Sequence, residues 1–319
     1  MEIFNPHSNI HFLGLRKYSV TLAVLLVVAS LLLIFGKGLN YGLDFTGGVL
    51  VEVTYSKPVD VADARAALAE AGLEHAMVQG VGGTRELAVR LQPKDDPGAA
   101  EDGKVNADRI ANDVMAALKA HRDDVTLKRH DFVGPQIGAQ LRNDGIVAVV
   151  FVMIGIMLYL GIRFERRFAV AALLTEVHDT LVTVGIIALM GREFDMTVLA
   201  SVLAVVGYSV NDKVVVFDRI RELFRLARKA DPEEILNRSI NNTLSRTIIT
   251  SLFTGITMGA LYFYGGTAVH GFAVTMLIGI VVGTLSSIFV ASPILLWLGV
   301  SKKDLMPVTR DNPELARRP

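Results

Sequence analysis

The stretch Thr197–Phe217, TVLASVLAVVGYSVNDKVVVF, decides what kind of protein this is. Its first ten residues carry no charge, and then Asn211, Asp212 and Lys213 stand side by side before the chain turns apolar again. A helix needs about 17–25 mostly apolar residues to cross about 30 Å of hydrocarbon, and this stretch has that length. Charges inside such a run are costly, and they are therefore its informative part.

Composition extends the reading to the whole chain. Of 319 residues 51% are hydrophobic, and the mean hydropathy is +0.44, well above the level of a soluble globular domain. Five further runs reach spanning length, giving six in all: 18–35, 146–162, 168–190, 196–217, 247–264 and 271–298. The expected fold class is an α-helical membrane protein with six transmembrane helices.

The formal net charge of zero conceals an asymmetry. Arg16 and Lys17 precede the first span; Arg163, Arg166 and Arg167 separate the second from the third; Arg219, Arg221, Arg225, Arg228, Lys229 and Arg238 separate the fourth from the fifth. The opposite connections, 191–195 and 265–270, hold Arg192 as their only Lys or Arg. By the positive-inside rule the basic loops and both termini face the cytoplasm and the segment after the first span lies outside. The first span has the basic flank of a signal peptide, but it is too long and lacks a small-x-small cleavage site, so it is expected to remain as an anchor. With no cysteine in the chain, the outer segment uses no disulfide.

That outer segment reads as one supersecondary unit. Gly48–Ser56 alternates as a strand. Asp60 caps a helix carrying Val61, Ala64, Leu68 and Ala71 on one face and stopping at Gly72. Strands at 75–81 and 85–91 are joined by Gly82, Gly83 and Thr84. After a polar loop, Asn106 is a candidate cap for a helix with Ile110, Val114, Ala117 and Leu118 on one side, and 125–133 supplies a last strand. The order β-α-β-β-α-β is that of a ferredoxin-like (βαββαβ) domain, a fold that by itself names no function.

The ionisable residues of the spans carry the functional reading. Counting from Met196 at about 1.5 Å per residue places Asp212 about 24 Å down the fourth span, sharing a face with Tyr208 and Ser209. Lys213 points about 100° away and is expected to snorkel toward the cytoplasm. The plain alternative is an interfacial charge pair that ends the span. In the third span Glu176, His178 and Asp179 fall near mid-membrane, flanked by Thr175 and Thr183; the alternative there is a satisfied structural hydrogen bond. In the fifth span Arg246 sits at the entrance as a headgroup anchor or as a partner of Asp212. Thr250, Thr254 and Thr257 above it form either a hydroxyl path or bonds back to their own helix. Gly255-xxx-Gly259 and Gly279-xxx-Gly283 are both close-approach patterns. Beyond Phe217 the helix continues as an amphipathic segment, with Phe217, Ile220, Phe224 and Ala227 on one side and Arg221, Arg225, Arg228 and Lys229 on the other, expected to rest on anionic lipid. No HExxH, GxxxxGK[ST] or GxSxG occurs, so nothing points to a soluble enzyme, a metal site or nucleic-acid binding.

Several motifs together carry a family resemblance: YGLDFTGG from Tyr41, VGPQIG from Val133, His178–Asp179, GYSVNDKVVVFDRIRE from Gly207, LSRTIITS from Leu244 and GIVVGTLSSIFVASP from Gly279. Over about 41–293 the chain resembles SecF in the SecD/SecF family of protein-translocase subunits, which is similar to the resistance-nodulation-division transporters. The resemblance implies a subunit with no enzymatic activity or cofactor that uses the proton as coupling ion. It implies SecD, the SecYEG channel and the SecA-driven preprotein as partners, with YajC and YidC as further ones. It implies a bacterial inner-membrane location with 37–142 in the periplasm. In a proton relay it places Asp212 and Arg246 first, then Asp179, with Asn211, His178 and Glu176 as further members. Lys213, Glu176 and His270 depart from the family pattern, which has a small polar, an apolar and a basic residue there. The expected division is 1–36 with the first span, 37–142 as the outer domain, 143–299 as the remaining spans with a basic segment at 218–245, and 300–319 as a tail. A proton-coupled efflux subunit or a passive scaffold are the rival readings.

Overall fold

A computed structural model describes residues 10–81, 83–91, 103–227 and 231–301, without the side chains of 103–106 and 267. The expectations for Gly82, for the polar loop through 102, for Arg228 and Lys229, for the capping side chain of Asn106 and for the tail beyond 301 fall outside the described residues. Within those residues six helical segments are long and apolar enough to cross a membrane: 12–37, 135–163, 166–190, 196–226, 232–264 and 268–297.

The first segment is mainly α1 (Arg16–Leu32). It leads into a short strand β1 (Asn40–Tyr41) and a single helical turn α2 (Leu43–Thr46). An α/β unit follows, in the order β2 (Gly48–Tyr55), α3 (Val61–Glu70), β3 (Met77–Gly80), β4 (Glu86–Leu91), α4 (Gly103–His121) and β5 (Val125–Val133). Its antiparallel sheet has the strand order β3-β4-β2-β5, so each helix joins two strands that follow each other in sequence but are not neighbours in the sheet. Alternation puts Val49, Val51, Val53, Leu87 and Val89 on one face, where they pack with Leu68 of α3 and Val114 and Leu118 of α4. Asp60 caps α3 as its sequence implies, accepting from the Ala62 amide at 2.9 Å. Helix α4 begins at Gly103, three residues ahead of the cap expected at Asn106.

The bundle comprises α5 (Pro135–Arg163), α6 (Arg166–Met190), α7 (Met196–Leu226), α8 (Pro232–Tyr264) and α9 (Thr267–Phe289), with α10 (Ala291–Trp297) after a break. A two-residue strand β6 (Glu193–Phe194) lies between α6 and α7. Helix α5 starts eleven residues before its apolar run because Pro135 is preset for a first helical position. Helix α6 stops at Gly191, whose φ of +63° suits glycine, and Asp195 caps α7 by accepting from the Val198 amide at 2.7 Å. The sixth apolar run is not one helix. Pro293 has no N–H for the Phe289 carbonyl, which instead accepts from the Ser19 hydroxyl of α1 at 2.8 Å.

Helices α6, α7 and α9 form the interior, while α1, α5 and α8 lie around them. Of the two glycine pairs only one works as a close-approach surface: a Cβ on Gly279 would strike Val205 of α7, and one on Gly283 would lie 2.8 Å from the Ser209 hydroxyl, whereas Gly255 and Gly259 face open space. The amphipathic stretch after Phe217 does not lie on a lipid surface with its apolar side. Phe217, Ile220 and Phe224 are buried with Ile235, Leu236 and Ile240, because α8 begins well before its apolar run and covers that side. The neighbouring arginines are paired: Arg163 with Asp218 at 2.7 Å, Arg221 with Glu165 at 3.0 Å, and Arg16 with Glu233.

The α/β unit joins the bundle through closely packed glycines. Gly47 has φ +69° and a Cβ there would lie 2.9 Å from the Pro135 Cα, whereas Gly72, at φ +82°, has no atom within 4 Å of that position. Gly72→Ala is expected to cost about 1–2 kcal/mol for the left-handed conformation alone, and Gly47→Ala about 1–3 kcal/mol more from overlap. Thermal unfolding of the full chain in micelles checks this through the larger fall in midpoint for Gly47→Ala.

Candidate functional site

The site is built where α6, α7 and α9 meet. Helix α6 carries Glu176 and Asp179 three residues apart, hence on one face, and both are fully buried. Helix α7 answers with Ser209 and Lys213 at i and i+4, and α9 with Ser286, one turn beyond the glycine that lets the helices touch. Lys213 Nζ donates to Glu176 Oε2 at 2.6 Å, to Asp179 Oδ2 at 2.8 Å and to Ser209 Oγ at 2.9 Å. An ammonium has three donors, and all three are used. Asp179 Oδ2 also accepts from Ser209 at 2.5 Å and lies 2.6 Å from the Ser286 hydroxyl, while its Oδ1 is 2.8 Å from His178 Nδ1.

This overturns the expectation that Lys213 snorkels. Side chains on a helix lean toward its N-terminus, and the N-terminus of α7 is at the end of the bundle that carries the α/β unit. Lys213 therefore leans into the bundle, and only 1% of its surface is exposed. Two of the three positions expected to differ from the family pattern thus meet, since the cation at 213 is bonded to the carboxylate at 176. The third, His270, lies apart from the cluster: its Nδ1 is 3.2 Å from an Arg192 nitrogen and its ring packs on Tyr262 at 4.2 Å between centroids.

Asp212 is equally buried, at 3% exposed, but sits beside this cluster on the side toward α8. Its Oδ2 has no hydrogen-bond partner among the described residues. The charge of the adjacent Lys213 acts on it most, then that of Arg246 on α8, with the Ser251 hydroxyl as a further influence, yet Arg246 is exposed and makes no ion pair with it among the described residues. A polar string adjoins them, with Tyr208 Oη donating to Ser251 Oγ at 3.1 Å and Ser251 Oγ 2.6 Å from Thr284 Oγ1. Asn211 is exposed and joins neither group.

The hydroxyl path up α8 is absent from the geometry. Thr250, Thr254 and Thr257 each bond back to the carbonyl four residues earlier, at 3.0, 2.9 and 3.0 Å. Of the threonines flanking Asp179, Thr175 likewise bonds to Ala171 at 2.6 Å, while Thr183 Oγ1 has no partner among the described residues. The sequence reading missed Ser286, Ser251 and Thr284. For Ser286 a signal was available: it follows Gly279 and Gly283 at helical spacing, so the close-approach stripe of α9 also delivers a hydroxyl.

Two carboxylates facing one ammonium in a dry interior make a costly arrangement whose balance depends on every member. Lys213→Met leaves both carboxylates uncompensated and is expected to cost about 3–5 kcal/mol, whereas Lys213→Met with Glu176→Leu removes the pair together and recovers most of that loss. Thermal unfolding midpoints in micelles read both, and an unchanged midpoint for Lys213→Met alone would show that the lysine is not held in the cluster.

Comparison with known proteins places these residues in a family. The model for "Protein export membrane protein SecD/SecF, C-terminal" matches residues 113–301, and that for the SecD/SecF GG motif matches 32–59. Protein translocase subunit SecF of Pseudomonas aeruginosa is 44% identical over 298 residues, covering 93% of this chain and 94% of the relative. SecF of Vibrio alginolyticus is 42% identical over 307 residues, covering 96% and 95%. The crystal structure of SecDF from Thermus thermophilus, described as a translocon-associated membrane protein, superposes with a TM-score of 0.81 at 36% identity, covering 92% of this chain and 39% of that longer one. The chain belongs to the SecD/SecF family of protein export membrane proteins.

Proposed function

We propose that the chain acts as the SecF subunit of a protein translocase and, together with SecD, uses the proton motive force to complete preprotein passage through SecYEG after the SecA-driven step. In this reading it is a multi-pass protein of the bacterial inner membrane with both termini cytoplasmic. Residues 37–142 form a ferredoxin-like periplasmic domain between the first span and the remaining five in 143–299. YajC and YidC belong to the same assembly.

One observation carries the proposal: Asp212 is buried beside an ionic cluster whose lysine spends all three donors on other groups, with one carboxylate oxygen unpartnered and an exposed arginine on the neighbouring helix. Asp179 and Glu176 share Lys213 as a hydrogen-bonded cation and Asp212 has none among the described residues, so in this reading Asp212 is the carboxylate that exchanges a proton. Charged, it attracts Arg246; protonated, it does not, and α7 and α8 are then free to repack. Asp179, Glu176 and His178 form the fixed wall against which the change is felt, and Asn211 lies outside it.

The energy is sufficient. One charge falling through 100 mV releases about 2.3 kcal/mol and each pH unit adds about 1.4, so at 100 mV and one pH unit a proton supplies about 3.7 kcal/mol, enough to shift a two-state equilibrium by about five-hundredfold.

The test is export of a preprotein into inverted membrane vesicles containing SecD, with ATP exhausted after initiation. The parent chain is expected to complete export when a proton gradient is applied, and Asp212→Asn to stall at the intermediate. Equal completion by both would remove Asp212 from the coupling path.

A further inference from the structure

We infer that Arg90 and Glu193 form the joint that fixes the α/β unit on the bundle, which makes Arg90 a positioning residue. Arg90 lies in β4 between Val89 and Leu91, whose side chains enter the core against α3 and α4. By alternation it points to the other sheet face, the one those helices leave uncovered. A charged side chain there should be solvated, yet only 5% of it is exposed. Two groups account for this: one guanidinium nitrogen is 2.5 Å from Glu193 Oε1, and the other donates to the Tyr41 carbonyl at 3.0 Å.

Both partners belong to a patch that ties the approach to the α/β unit onto the α6–α7 turn. Strand β1 pairs in parallel with β6, Asn40 opposite Glu193 and Tyr41 opposite Phe194. The Gly42 amide donates to the Phe194 carbonyl at 2.8 Å, and the Met196 amide donates to Asp44 at 3.0 Å. A Cβ at residue 42 would lie 2.9 Å from Glu193 Oε1, so glycine at that position admits the carboxylate that Arg90 grips. Glu193 is three residues from the start of α7, and Asp195 between them caps that helix. Any rotation or axial shift of the first turn of α7 therefore displaces Glu193 and, through Arg90, the sheet. That the shift is driven by Asp212 rests on the proposed function; the joint itself does not.

The chain has no cysteine, so labels can be placed without background. Glu70→Cys at the end of α3 and Tyr264→Cys at the end of α8, both exposed, would be spin-labelled in the full chain in lipid nanodiscs and the interlabel distance distribution recorded. Arg90→Met and Glu193→Gln are each expected to broaden the distribution to about twice its parent width, as a freed segment samples more orientations. The double variant should broaden it no further, since both remove one contact. Lys128→Met, which breaks the pair with Glu86 inside the sheet at 2.9 Å, should leave the distribution as in the parent. Glu193→Gln keeps shape and polarity on a partly exposed side chain, so it reads the joint even where Arg90→Met disturbs folding. Parent-like distributions in both single variants, or broadening that adds in the double, would overturn the inference. No proton gradient is used, so failure here leaves the role of Asp212 standing, and a failed export test leaves the joint standing.

Discussion

An ammonium group inside hydrocarbon must find partners for its charge and for all three of its hydrogens, and this requirement at Lys213 organises the bundle. Its three bonds reach α6 twice and its own helix once, and through Ser209 and Asp179 they reach Ser286 on α9. The helices must approach closely for such short bonds, and Gly279 and Gly283 supply the space. Apolar packing and ionic pairing are therefore one contact. A larger residue on the α9 stripe would separate the helices and leave Asp179 with fewer donors, and a missing donor would leave buried charge that packing could not offset.

Helix α8 shows the opposite solution to the same solvent. Its threonines satisfy themselves on their own carbonyls, its glycine pair meets nothing, and Leu252, Phe253 and Ile256 are exposed beside Arg246. Its ties to the wall are the Ser251 hydroxyl, which accepts from Tyr208 and lies 2.6 Å from Thr284 Oγ1, and the apolar contacts of its first turns. Asp212 lies on that boundary, between a wall held by ionic bonds and a helix held mainly by apolar contact at its far end. A titrating group has most leverage where one side is fixed and the other yields.

The sequence was most legible where one residue's chemistry decides the outcome. Spans follow from apolar length, the α3 cap from Asp60, and the β-α-β-β-α-β order from alternation and helical faces. It was least legible where the outcome belongs to a pair of distant residues. Lys213 beside Asp212 reads as a local interfacial pair; only the lean of α7 and the presence of Glu176 on another helix turn it inward. Strands β1 and β6 are too short for any periodicity, and their pairing joins residues about 150 apart. The sixth run reads as one span in the sequence, and the hydroxyl that makes its break tolerable comes from Ser19, at the other end of the chain.

These long-range pairs meet on one element. Helix α7 begins at the joint where Glu193 holds Arg90 and, about 17 residues or 25 Å further on, carries Asp212 and Lys213. An α-helix of that length transmits rotation and axial displacement because its backbone bonds are all internal, and α7 is unbroken from Met196 to Leu226. In the proposed function a change of charge at its buried half would be carried to its other end, where a guanidinium on the sheet is already bound. The contacts with no local signature in the sequence are those that connect the membrane charges to the domain outside them, because coupling two distant parts requires residues that belong to neither alone.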